Sequence, residues 1–207
     1  MRSAFDGVQV EPQAMRDLYL CQALGRLTAA KAVRAILISG GLKVLTLTSE
    51  NFSEGDYLGQ DHALSEIFGF GCKGGNLSPQ LAWQGAPPGT HSFALTCFDP
   101  DAPTGSGFWH WVVVNIPVGV ASLPLGAGDP ASGKMAAGAL EVRTDFGKPG
   151  YGGPCPPPGS VHRYVFTLHA VGLPQLPVNA DTSAAIVGFQ LHFNTLQKAS
   201  LTGLFRR

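Results

Sequence analysis

Charge is what this chain has least of. Only 14% of its 207 residues are Asp, Glu, Lys or Arg, against roughly a quarter in an average soluble domain. Its 14 basic and 14 acidic side chains cancel. A nucleic-acid binder gathers Lys and Arg on one face, and attraction to an anionic membrane needs a similar patch. No such cluster is present, so neither partner is expected. No run of 18 apolar residues exists, and no transmembrane segment is expected. The four cysteines, Cys21, Cys72, Cys97 and Cys155, contain no CxxC pair. That argues against a zinc ribbon or a thioredoxin-like site. Scattered this widely, they are expected as buried thiols rather than a disulfide framework. A reducing, cytoplasmic compartment follows from that expectation, with a periplasmic one left open.

What is abundant is glycine, proline and apolar side chains. There are 27 Gly and 16 Pro, about a fifth of the chain, beside 44% hydrophobic residues and 12 Phe. This apolar content and zero net charge oppose disorder. Glycine without a period of three excludes collagen. So much Gly and Pro argues against a coiled coil or helical bundle.

Two regions differ in texture. Residues 1–41 carry Met15, Leu18, Leu24 and Leu27 near helical spacing after Pro12, a residue suited to a first helical turn. The Ala32–Ser39 stretch is too short, too late and too interrupted by Arg34 for a signal peptide. A helical or poorly ordered extension is expected there, with Gly40-Gly41 as the boundary. Residues 42–207 form the main domain. Period-two alternation predicts strands over 43–48, 92–98 and 163–171, with shorter ones near 81–83 and 139–143. The apolar run Trp109–Ile116 predicts a central strand covered on both faces. One helix is predicted over 182–199, capped by Asp181, with Ile186, Phe189 and Phe193 sharing a face. Without βαβ alternation, the expected fold is mainly β, an antiparallel β-sandwich with one C-terminal helix and few peripheral ones.

Side chains capable of site chemistry gather in two short segments. In Asp99-Pro100-Asp101-Ala102-Pro103, two prolines stiffen a turn displaying two carboxylates. The same pattern also serves as an Asx turn, in which the carboxylates cap backbone N–H groups. The second segment, Tyr151–Gly159, holds four prolines in the five residues 154–158. It cannot join a ladder and is expected as a rigid surface loop, either a connector or a pocket wall. His110 and His162 stand at strand starts beside these loops. A shared pocket is then expected, in which an Asp accepts from one imidazole nitrogen and the other nitrogen faces an anion as a donor. His62, His91, His169 and His192 are expected at surface or strand positions, without a role.

Taken together and in order, Asp99–Pro103, Trp109-His110-Trp111, Gly153-Pro154-Cys155-Pro156-Pro157 and His162-Arg163-Tyr164 resemble the phosphatidylethanolamine-binding protein family. The likeness is nearest to its bacterial Raf-kinase-inhibitor-like branch. Ser78-Pro79, Phe146-Gly147 and Leu201-Thr202-Gly203 add to it, over residues 42–207. The resemblance implies a β-sandwich with a pocket for small anions, including phosphate-bearing head groups. It implies pocket residues Asp99, Asp101, Pro103, His110, Cys155, Pro156, Pro157, His162 and Tyr164. It implies a non-enzymatic binding protein without a cofactor, whose ligand is a phosphate-bearing small molecule or phospholipid head group. Regulation of a kinase or another signalling partner goes with that expectation. The alternatives are an interaction or inhibitor module presenting the 151–159 loop to a kinase or protease, and a hydrolase using Asp and His to hold a metal. A homodimer is a further candidate assembly.

Overall fold

The computed structural model describes residues 44–207. The expected extension over 1–41 lies outside the described residues. Eight strands build two sheets: β1 (Thr46–Thr48), β2 (Leu81–Gln84), β3 (Ser92–Asp99), β4 (Phe108–Pro117), β5 (Ser122–Leu123), β6 (Leu140–Glu141), β7 (Val161–Val171) and β8 (Thr195–Arg206). The smaller sheet has the order β1-β2-β5 and the larger one β6-β4-β3-β7-β8. Every pairing within them is antiparallel. The expected antiparallel sandwich is the fold.

The two sheets bury a common core. Leu47, Leu81, Trp83 and Leu123 come from the small sheet, and Leu95, Trp111, Val113, Phe166 and Leu168 from the large one. A second apolar cluster covers the other face of the large sheet. There Ala94, Val112, Val114 and Val171 meet Ala184, Val187 and Leu191 of the helix α1 (Ala184–Asn194). This explains the unbroken apolar run of β4: Trp111 and Val113 face the sandwich, while Val112 and Val114 face the second cluster. The middle strand of the larger sheet is β3, with β4 beside it.

The helix is shorter and turned differently from its expected form. Ser183 caps it, its side chain accepting from the Ile186 N–H. Ile186, Phe189 and Phe193 are exposed, whereas Ala184, Val187 and Leu191 are buried. Both triplets have helical spacing, so periodicity does not choose between them. From Thr195 the chain becomes β8, paired with β7 along its length. Leu201, Gly203 and Phe205 point inward there. Tertiary pairing thus overrides a helical pattern that continues to Ala199 in the sequence.

Candidate ligand pocket

Antiparallel order alone brings the end of β3 beside the starts of β4 and β7. Asp99 ends β3, while His110 and His162 lie near the starts of their strands. On β7, period-two alternation turns His162 and Tyr164 inward and Arg163 outward. On β4 a register shift does the placing. Trp111 pairs with Cys97 and Trp109 with Phe98, leaving His110 between them without a partner. An unpaired residue of this kind marks a β-bulge, which bends the strand and redirects its side chain.

The three side chains are buried together: Asp99 is 2% exposed, His110 5% and His162 6%. His162 Nδ1 donates to Asp99 Oδ2 at 2.8 Å. His110 Nδ1 donates to the Gly152 carbonyl at 2.7 Å, and its Nε2 lies 3.9 Å from Asp99 Oδ2. Both acceptors lack a proton of their own, so each Nδ1 carries the hydrogen. In a neutral imidazole, Nε2 is then an acceptor. The expectation of a donor facing the ligand therefore holds only for the imidazolium form.

The electrostatics follow from burial. The imidazole of His110 lies 5.0 Å from the Tyr164 ring and 5.5 Å from Phe146, both edge-on. Burial lowers its pKa below the usual histidine value, opposed by the hydrogen bond to Gly152 and by Asp99. Burial, with Asp99 nearby, raises the Tyr164 phenol well above its ordinary value. Its O–H therefore stays protonated.

These groups line a cavity of about 380 Å³. Asp99, Pro103, His110, Cys155, Pro156, Pro157, His162 and Tyr164 all line it. Asp101 does not. Its Oδ2 accepts from the Arg163 backbone N–H at 3.0 Å and from Nε at 2.9 Å, and Oδ1 accepts from Nη2 at 2.7 Å. Those hydrogen bonds hold its carboxyl at about 2, well below the usual range. Because Arg163 faces outward on β7, it draws Asp101 away from the pocket. The turn also has its Asx hydrogen bond, from the Asp101 N–H to Asp99 Oδ1 at 2.8 Å.

The proline loop is a wall, but it is not confined to the surface. Tyr151–Pro154 and Pro156 are buried. Asn76 binds this loop twice, accepting from the Gly153 N–H at 2.8 Å and donating to the Tyr151 carbonyl at 3.0 Å. The Leu64 N–H donates to the Pro154 carbonyl, and the Gly152 N–H to that of His110. Cys155 is bonded to Cys72, which corrects the expectation of four thiols. Cysteines 83 positions apart form no spacing motif, so only the fold brings them together. Cys97 is a free, buried thiol. His62 is buried as well, its Nδ1 bonded to the Leu77 carbonyl.

Sequence reasoning missed the apolar wall and the cation. Leu64, Phe70, Phe108 and Phe146 line the cavity, and so does Arg207. Phe108 was within reach of a period-two argument, since it lies two residues before His110. Phe70 and Arg207 carry no local signal. Among the described residues, no group of three His, Cys, Asp or Glu side chains could hold a metal ion.

A family model described as phosphatidylethanolamine-binding protein matches residues 48–206. The UPF0098 protein YbhB of Escherichia coli K12 is 49% identical over 163 residues, which is 78% of this chain and 99% of that protein. The UPF0098 protein YbcL of the same organism is 45% identical over 171 residues, 82% of this chain and 92% of that protein. The crystal structure of YbcL, described as a new member of the mammalian PEBP family, matches with a TM-score of 0.76 at 46% identity. It covers 79% of this chain and 98% of its own.

Proposed function

The chain belongs to the phosphatidylethanolamine-binding protein family, and from that premise we propose that it is a non-enzymatic binding protein whose cavity takes the phosphate of a small molecule or lipid head group. The observation that carries this reading is the burial of Asp99, His110 and His162 together on the wall of one largely apolar cavity. The Tyr164 O–H donates to the anion. Each imidazole adds a charge-assisted N–H once its Nε2 is protonated, and Asp99 holds the His162 ring in place. The organic part of the ligand packs on Phe70, Phe108 and Phe146. Anion binding is thereby coupled to proton uptake. Against a thiol nucleophile stands the bond that ties Cys155 to Cys72.

The test is calorimetric titration with inorganic phosphate and glycerophosphoethanolamine, on the wild type and on His110→Gln. Loss of one charge-assisted hydrogen bond is expected to weaken both ligands about tenfold. For the diester, which does not titrate near neutrality, affinity is expected to rise as pH falls through about 6.5 and to keep rising below it. The sign follows from His110: burial lowers its ligand-free pKa, while a bound anion favours the protonated form. Equal affinity in both proteins, or none in either, would defeat the reading. The Cys72–Cys155 bond supports an oxidising compartment such as the periplasm over the reducing cytoplasm. Any kinase or other signalling partner would engage the same cavity through a phosphorylated side chain.

A further inference from the structure

We propose that Arg207 is a specificity-determining residue of this cavity, supplying a fixed positive charge that favours a phosphomonoester over a phosphodiester. The inference rests on the phosphate reading above and deepens it. Apart from the two histidines, the charged groups of the cavity wall are the Asp99 carboxyl and the Arg207 guanidinium. The imidazoles donate from Nε2 only when protonated, and burial opposes this at His110. Arg207 is therefore the one lining residue whose positive charge does not depend on pH.

Three hydrogen bonds aim it, and a glycine leaves it room. Its backbone oxygen accepts from the Gly159 N–H at 2.9 Å, joining its backbone to the end of the proline loop. Its Nη1 donates to the Phe70 carbonyl at 2.8 Å, joining its side chain to the aromatic wall. A Cβ on Gly71 would stand 2.7 Å from Nη2, so the glycine leaves room for the guanidinium. Nη1 also donates to Cys155 Sγ at 3.6 Å, so two of the five N–H donors are used and three remain for a ligand. Among the described residues, no carboxylate forms an ion pair with Arg207. Its neighbour Arg206 lies instead over the Tyr57 ring, 5.5 Å from its centre. The family match ends at residue 206, so Arg207 itself is not part of the matched stretch.

A phosphomonoester carries about −1.5 to −2 charge at pH 7 and three terminal oxygens. A diester carries one charge and two terminal oxygens. A planar guanidinium gains more from the former, through two parallel N–H···O bonds. The experiment titrates inorganic phosphate, phosphoethanolamine and glycerophosphoethanolamine into the full chain at pH 7.5, as wild type, Arg207→Gln and Arg207→Lys. Arg207→Gln is expected to weaken the two probes with a terminal phosphate about tenfold and the diester about threefold or less. Arg207→Lys restores part of the loss, because it keeps the charge and loses the fork. Phosphoethanolamine binding more tightly than inorganic phosphate points to a head-group source, and equal affinities point to free phosphate. Both support the role of Arg207 when the glutamine variant shows the selective loss. The proposal is overturned if Arg207→Gln leaves monoester affinity unchanged, or weakens all three probes equally, at an unchanged thermal midpoint. Wild-type protein that binds no probe overturns the phosphate reading as well. Wild-type binding with an unaffected variant overturns only the role of Arg207.

Discussion

The two proline-rich segments beside the cavity are held by different forces. The Asp99–Pro103 turn is exposed at Pro100 and Pro103, and polar contacts hold it: an Asx hydrogen bond and an Asp101–Arg163 pair. The Tyr151–Gly159 loop is half-buried and held by tertiary hydrogen bonds, close packing and a disulfide. Proline stiffens both, yet stiffness does not decide where a segment sits. The first segment depends on charge, and the second depends on shape and a covalent link.

The strongest test of this contrast is Gly153→Ala. A Cβ at position 153 would stand 2.1 Å from the His62 carbonyl oxygen. Because that neighbour is backbone, the expected loss of stability is about 4 kcal/mol, read by denaturant unfolding. Replacing Cys72 and Cys155 together by serine should lower stability by about 3 kcal/mol, since the bond closes a long loop in the unfolded chain. Reduction of the wild type should do the same, with faster amide exchange confined to residues near 152–159. Preserved exchange protection there would mean that the hydrogen bonds alone hold the loop.

The smallest effect belongs to the exposed turn. Asp101→Asn is expected to cost under about 1 kcal/mol, as exposed ion pairs do. Its pH dependence has a definite sign. The folded carboxyl is depressed to about 2, against roughly 3.9 in an unfolded chain. Its contribution is therefore present above about pH 4 and lost as pH falls toward 2. Amide exchange in residues 101–107 should quicken over that window in the wild type and not in Asp101→Asn. Exchange near 152–159 should respond to reductant and not to Asp101. A variant that loosens both segments equally would remove the distinction.

Much of the pocket was legible locally. A carboxylate at the end of one strand and histidines at the starts of two others are chain-order facts. Antiparallel pairing turns them into neighbours. The turning of Asp101 away from the cavity has no local signal, because its partner, Arg163, lies 62 positions away. The disulfide has no local trace for a similar reason: its cysteines lie 83 positions apart and form no spacing motif. The helix face was ambiguous because Ile186, Phe189 and Phe193 repeat as regularly as Ala184, Val187 and Leu191.

By itself, the sequence determined the sandwich, most of its strands and the residue types at the ends of β3, β4 and β7. Alternation, turn residues and short motifs are local, and local sterics and hydrogen bonding read them. Only the tertiary structure decided which carboxylate lines the cavity, which cysteines join and which cation reaches the cavity. Each of those depends on groups far apart in the chain, brought together by burial and strand pairing. No short stretch of sequence records that proximity.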